Sequence, residues 1–129
     1  MGAVLDNLFH HLSLTPRVRE MAYLTVARHN QCAYCVGHHT FFAKQAGMTD
    51  EEVALLGESG LSNAQFSESE QAVIRFALET TKNVTASDDA LAGLQKAFPL
   101  NQVVEIAFVV AAGNFIQRIG KNFGIELEQ

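Results

Sequence analysis

Glu20, Cys32, Cys35 and His39 are the residues of this chain whose types and spacing could do chemistry together. Cys32 and Cys35 are its only cysteines, set two residues apart in Cys32-Ala-Tyr-Cys35-Val-Gly-His38-His39. On a helix this spacing puts the thiols in one turn and a histidine one turn further on. The two Cα atoms then fall within disulfide range, about 4.4–6.8 Å. One thiol can be oxidised while the other resolves it. A dithiol beside an imidazole and a carboxylate is equipped for thiol redox catalysis.

Position supplies the activation. Cys32 lies at or just before a helix N-terminus, where unpaired N–H groups and the helix dipole favour a thiolate. Cys35 and His39 are four residues apart and share a face, so the imidazole can take the thiol proton and return it to a leaving group. Glu20 sits on the preceding helix with Leu24 and Ala27 at helical spacing. If that face packs on the cysteine helix, the carboxylate enters as proton acceptor or as orienter of His39. Its neighbours Arg17 and Arg19 equally describe a solvated glutamate. His38 points about a third of a turn from His39 and reads as packed or solvent-facing. Tyr34 could donate to a bound oxygen or simply form a wall, and Asn30 could cap a helix end. His10, His11 and His29 have no partner pattern.

The elements that must position these groups are helices. A short helix is expected over Val4–Leu12. Thr15-Pro16 opens a helix reaching about Asn30, with Thr15 as N-cap and Pro16 at its first position. The cysteine motif begins the next, which ends at Gly47. Thr49 with Glu52 is a capping box for a short helix to about Leu56; Ser59 through Ser67 reads as a polar loop. Ser67 with Glu70 is a second box, and Val73, Phe76 and Ala77 carry that helix to about Lys82. Ser87 caps another, ending before Pro99. Asn101 is expected to cap the last helix, Gln102 to about Ile119, with Gly120 as its stop. No stretch alternates as a strand would. The fold class is all-α: one compact bundle of about six helices spanning residues 1–129.

The last helix is apolar around most of its circumference, from Val103 through Ala112. A membrane span needs roughly 20 apolar residues, and Glu105 and Asn114 interrupt this run. Burial on all sides in so small a chain implies that a second subunit covers part of it, unless it is an ordinary central core helix. A formal net charge of −5 argues against nucleic acid or an anionic membrane as partner. No cationic, apolar, small-residue prefix marks a secretory signal. Two cysteines at this spacing suit a reducing compartment, so the expected location is cytoplasmic. Covalent haem attachment needs histidine directly after the second cysteine, where Val36 stands. Zinc could take Cys32, Cys35, His39 and Glu20, but no second Cys/His pair supports a structural site. Without a phosphate loop or dinucleotide fingerprint, no cofactor or metal is expected, and the thiols must carry the electrons.

The pattern Glu20-x11-Cys32-x2-Cys35-x3-His39 lies within Val26-Ala27-Arg28-His29-Asn30-Gln31-Cys32-Ala33-Tyr34-Cys35-Val36 and is followed by Ala46-Gly47-Met48-Thr49-Asp50-Glu51-Glu52-Val53. It resembles the alkylhydroperoxidase AhpD core of the carboxymuconolactone decarboxylase-like superfamily, closely over Pro16 to Leu56 and in general helical pattern beyond. The resemblance implies an all-α fold assembled into homotrimers or homohexamers. It implies a peroxidase in which Cys35 is the peroxidatic nucleophile, Cys32 resolves, and Glu20 and His39 form a proton relay. The resulting disulfide would be reduced by an external dithiol, a lipoyl or thioredoxin-like protein. Helix-end electrostatics alone favour Cys32 as the more acidic thiol, so the division of labour stays open. Tyr34 stands where the best-characterised peroxidases of the group carry another histidine, and this chain is shorter than they are. The decarboxylase branch does not use the cysteine pair. The leading expectation is an antioxidant enzyme reducing organic hydroperoxides. The alternatives are a general dithiol–disulfide oxidoreductase, a metal-binding helical module and, more distantly, a decarboxylase acting on a lactone acid.

Overall fold

Thr15 accepts a hydrogen bond from Val18 N through its hydroxyl, and Pro16 takes the first helical position, so the first helix starts where both signals place it. The computed structural model describes residues 11–124. Within them the chain forms α1 (Pro16–His29), α2 (Ala33–Gln45), α3 (Asp50–Ala54), a 3₁₀ turn (Glu58–Gly60), α4 (Glu68–Asn83), α5 (Asp88–Ala97) and α6 (Leu100–Phe123). No strand occurs among the described residues. The helix expected over Val4–Leu12 lies outside them except for its last two positions, His11 and Leu12, which are not helical.

Both expected capping boxes are closed: Thr49 with Glu52 opens α3, and Ser67 with Glu70 opens α4. Arg17 then joins them, its Nη2 2.7 Å from Glu52 and its Nε 2.8 Å from Glu70. One guanidinium on α1 thus sets the starting points of two later helices. Ser87 caps α5 through Ala90 N, and the N–H of Ser87 is taken by Glu79 of α4 at 2.8 Å. Here the carboxylate of a capping box comes from the preceding helix, because the third helical position is Ala90.

α1 is the axis of the bundle. It packs on α2, α4 and α6, and every residue from Glu20 to Ala27 is buried. Tyr23, Val26 and Ala27 enter one core with Val73, Phe76, Leu94, Ile106 and Val110. Met21 and Leu24 enter a second with Ala43, Met48, Val53, Phe66 and Ile74.

α6 departs from its expected form. It begins at Leu100 after Pro99, not behind an Asn101 cap, and it runs through Gly120 to Phe123, ending at Gly124 with φ 64°. Gly120 is buried within the helix. A mid-helix glycine costs about 1 kcal/mol, less than the packing that continuing the helix secures. Gly124 supplies the left-handed turn instead. Within the single chain α6 is not buried on all sides, since Leu100, Val104, Phe115 and Phe123 are exposed; the cover expected from a second subunit lies outside the single chain. By length and composition it is apolar enough to cross a membrane, yet it packs on α1, α4 and α5 through Val103, Ile106, Val109 and Val110.

Candidate redox site

The link between α1 and α2 builds the site. Asn30 ends α1 as its C-cap, Gln31 takes φ 57°, and Cys32 N bonds Ala27 O at 3.0 Å while Gln31 N bonds Arg28 O at 3.2 Å. These two bonds form a Schellman motif. The left-handed position that glycine usually fills is held by Gln31, whose carbonyl accepts from Lys121 Nζ at 3.0 Å. α2 ends in the same motif with Gly47 at φ 93°. Cys32 therefore closes α1 and is also the N-cap of α2, with no side chain capping that helix.

One turn inside α2, Cys35 is buried and joined to Cys32 in a disulfide with Cα atoms 5.3 Å apart. Cys32 is the more accessible of the two. The sequence leaves Glu20 open between a solvated and a site residue, and the fold buries it completely. Its Oε1 lies 2.6 Å from His39 Nδ1 and its Oε2 2.8 Å from Arg19 Nε. A buried carboxylate needs such partners. When the carboxylate accepts from a neutral imidazole, Nδ1 carries the hydrogen and the lone pair is on Nε2. His39 shares its helix face with Cys35, one turn away. All four residues singled out in the sequence thus meet at the α1–α2 contact: Glu20 pairs with His39 directly, and Cys32 with Cys35.

Two neighbours escape sequence reading. Tyr23 stacks on His39 with ring centroids 3.8 Å apart and planes 21° from parallel. Burial pushes its phenol above the ordinary range; the nearby Glu20 charge adds to this, while a hydrogen bond with Gln117 opposes it. Tyr23 is three residues after Glu20, so helical spacing alone puts it on the same face. Gln117 is buried in the apolar α6, and its Oε1 accepts from Asn30 Nδ2 at 2.9 Å. Asn30 also reaches Asn114, which in turn reaches Thr81 of α4. A glutamine and an asparagine inside an apolar run were the available signal. His38 packs between Tyr34, edge-on at 6.0 Å, and Phe42 at 5.2 Å. Among the described residues no group of three or more His, Cys, Asp or Glu is placed to hold a metal ion.

This fold belongs to a known class. The model of the carboxymuconolactone decarboxylase family matches residues 1–79, well over half of the chain, and the chain belongs to that family. Among solved structures it resembles a protein of unknown function from Agrobacterium tumefaciens, described as a candidate antioxidant defence protein AhpD. That match has a TM-score of 0.83 and 23% identity, and covers 98% of this chain and 88% of the other. The fold is therefore AhpD-like. No curated protein matches the chain significantly.

Proposed function

We propose that the protein is a thiol peroxidase that reduces organic hydroperoxides through Cys32 and Cys35. The observation that carries this reading is the pairing of the two cysteines one turn from an imidazole whose Nδ1 is held by a buried carboxylate. In the reduced protein His39 Nε2 takes the Cys35 proton. The thiolate attacks the peroxide, an S–O bond forms, the O–O bond breaks, and the alkoxide leaves as alcohol with the proton from His39. The peroxide has gained two electrons and Cys35 is a sulfenic acid. Cys32 attacks that sulfur, water leaves, and the disulfide forms.

Return to the dithiol requires two electrons from an external dithiol, a lipoyl or thioredoxin-like protein. The more accessible sulfur is Cys32; its chain neighbours Gln31 and Ala33, with Arg28, Val36 and Gly37, line an open groove of about 500 Å³. Attack there makes a mixed disulfide and releases Cys35 as thiolate, next to His39 for reprotonation. This accessibility also favours the second reading, a general dithiol–disulfide oxidoreductase. The reaction in the family's name needs no dithiol, so the cysteine pair speaks against it here. A reducing, cytoplasmic compartment and a homotrimer or homohexamer belong to the same proposal. The support for assembly is the exposed apolar face of α6.

Mass spectrometry of the reduced protein, seconds after one equivalent of cumene hydroperoxide, tests the reaction. The expected product has lost two hydrogens, mapped to Cys32–Cys35, and Cys35→Ser abolishes peroxide consumption. A Cys35→Ser protein that turns over at the parental rate overturns the proposal. Thiols inert to peroxide but rapidly oxidised by oxidised lipoamide would establish the exchange enzyme instead.

A further inference from the structure

We propose that Tyr23 is a positioning residue for His39: its ring, held at its edge by α6, fixes the imidazole plane so that Nδ1 stays on Glu20 and Nε2 stays turned to the dithiol. The inference rests on the reading of His39 as the base of the thiol chemistry. A hydrogen bond to Glu20 fixes one atom of the imidazole but leaves it free to swing about that contact; a stacked ring removes that freedom. The Tyr23 ring lies 3.8 Å from the His39 ring, nearly parallel, on the same α1 face as Glu20. Phe42 meets His39 edge-on at 5.6 Å, so the imidazole is enclosed by aromatic groups as well as held by the carboxylate.

Tyr23 is itself held, because α6 closes against the Cδ2–Cε2 edge of its ring. A Cβ built on Gly113 would stand 3.5 Å from Tyr23 Cδ2 and Cε2 and from Gln117 Nε2, which places all three groups around one point. Gln117 in turn accepts from Asn30, the residue two before Cys32. The loop that presents Cys32 and the ring that orients His39 are therefore tied to the same side chain of α6. This arrangement gives the polar residues of α6 a purpose that packing alone does not: an apolar residue would fill the place of Gln117 without the cost of burying an amide.

Tyr23→Phe keeps the stack and removes the hydroxyl; Tyr23→Leu removes the stack and keeps apolar volume. Two readouts are independent of peroxide turnover. One is the downfield proton resonance of the short Nδ1–H···Oε1 bond in the reduced protein. The other is the pH profile of Cys35 alkylation by iodoacetamide, followed by peptide mapping. Tyr23→Leu should lose the resonance and slow alkylation at neutral pH by about tenfold, while Tyr23→Phe stays close to the parent in both. Circular dichroism of each variant, with hydrogen-exchange protection of α1 and α2, establishes that the fold is retained. A folded Tyr23→Leu protein with the parental resonance and profile overturns the inference. So does a Tyr23→Phe protein as impaired as Tyr23→Leu, since the hydroxyl and not the stack would then be responsible. A parent without peroxidase activity whose alkylation still depends on Tyr23 would refute the proposed function and leave the positioning role standing.

Discussion

Glu20 is the residue on which the chemistry of the site turns, because it decides which imidazole nitrogen carries the proton. Its two oxygens are matched to two donors, Arg19 Nε–H and His39 Nδ1–H, with no exposed surface remaining. Glu20→Gln keeps the volume but offers one acceptor and one NH₂ donor. Either Arg19 then faces a donor, or His39 moves its hydrogen to Nε2 and loses the lone pair that deprotonates Cys35. The expected result is a fall in the rate of dithiol oxidation by hydroperoxide of about 10²–10⁴-fold, with a loss of about 1–3 kcal/mol in stability. Stopped-flow oxidation and urea denaturation of the same preparation measure both. A variant oxidised at the parental rate would remove Glu20 from the relay. The identity of the cysteine pair and its histidine was legible in the sequence, since spacing within a single helix is local. Glu20 was legible only as an alternative, because its burial depends on how α1 packs on α2. Tyr23 and Gln117 were not read at all: the place of Tyr23 depends on the same packing that buries Glu20, and Gln117 comes from a helix 94 positions away in the chain.

Helix starts were read well because the signals that fix them are short. Thr15-Pro16, Thr49 with Glu52, Ser67 with Glu70 and Ser87 all cap the helices they precede. The start and end of α6 were misread because Asn101 and Gly120 carry strong local signals that tertiary packing overrides. The α1–α2 turn hid for the opposite reason, since Gln31 does the work of a glycine. The capping carboxylates make a prediction about acid. Hydrogen bonds from the backbone and hydroxyl of Ser87, with Arg75, hold Glu79 down to about 2, and Arg17 with Thr49 lowers Glu52. As pH falls, the unfolded chain takes up these protons first. Their contribution is therefore present in full above the ordinary carboxylate range and drains away as pH falls through the lowered folded values, toward about pH 2 for Glu79. The melting temperature should hold steady down to about pH 5 and fall below it. Glu79→Gln should melt lower at neutral pH and show a shallower fall in acid, because the group that titrates is gone. Calorimetric scans across this range test it; identical slopes for parent and variant would show that Glu79 does not link α4 to α5.

At the scale of the molecule the question is what covers the outer face of α6. Leu100, Val104, Phe115 and Phe123 are 74%, 59%, 50% and 72% exposed, and they lie along the side opposite Val103, Ile106, Val110 and Gln117. Exposed apolar side chains gathered on one helix, here interspersed with Arg118 and Asn122, are candidates for an interaction site. A bilayer is a poor occupant. The inner face of α6 carries the Asn30–Gln117 and Asn114–Thr81 hydrogen bonds, and withdrawing the helix into lipid would break them and open the core beside Tyr23. A second copy of the chain, as proposed above, would cover the outer face without disturbing the inner one. The purified protein should therefore sediment as a trimer or hexamer at micromolar concentration. Val104→Glu combined with Phe115→Glu should shift it to the monomer, since each charge would have to be buried unpaired in the contact. Both positions point away from Tyr23 and Gln117, so the dissociated protein should still form the Cys32–Cys35 disulfide. If it no longer did, the assembly would be holding α6 against Tyr23, and subunit contact would be part of the redox site. A parent that sediments as a monomer would leave the face to another partner and refute the homo-oligomer.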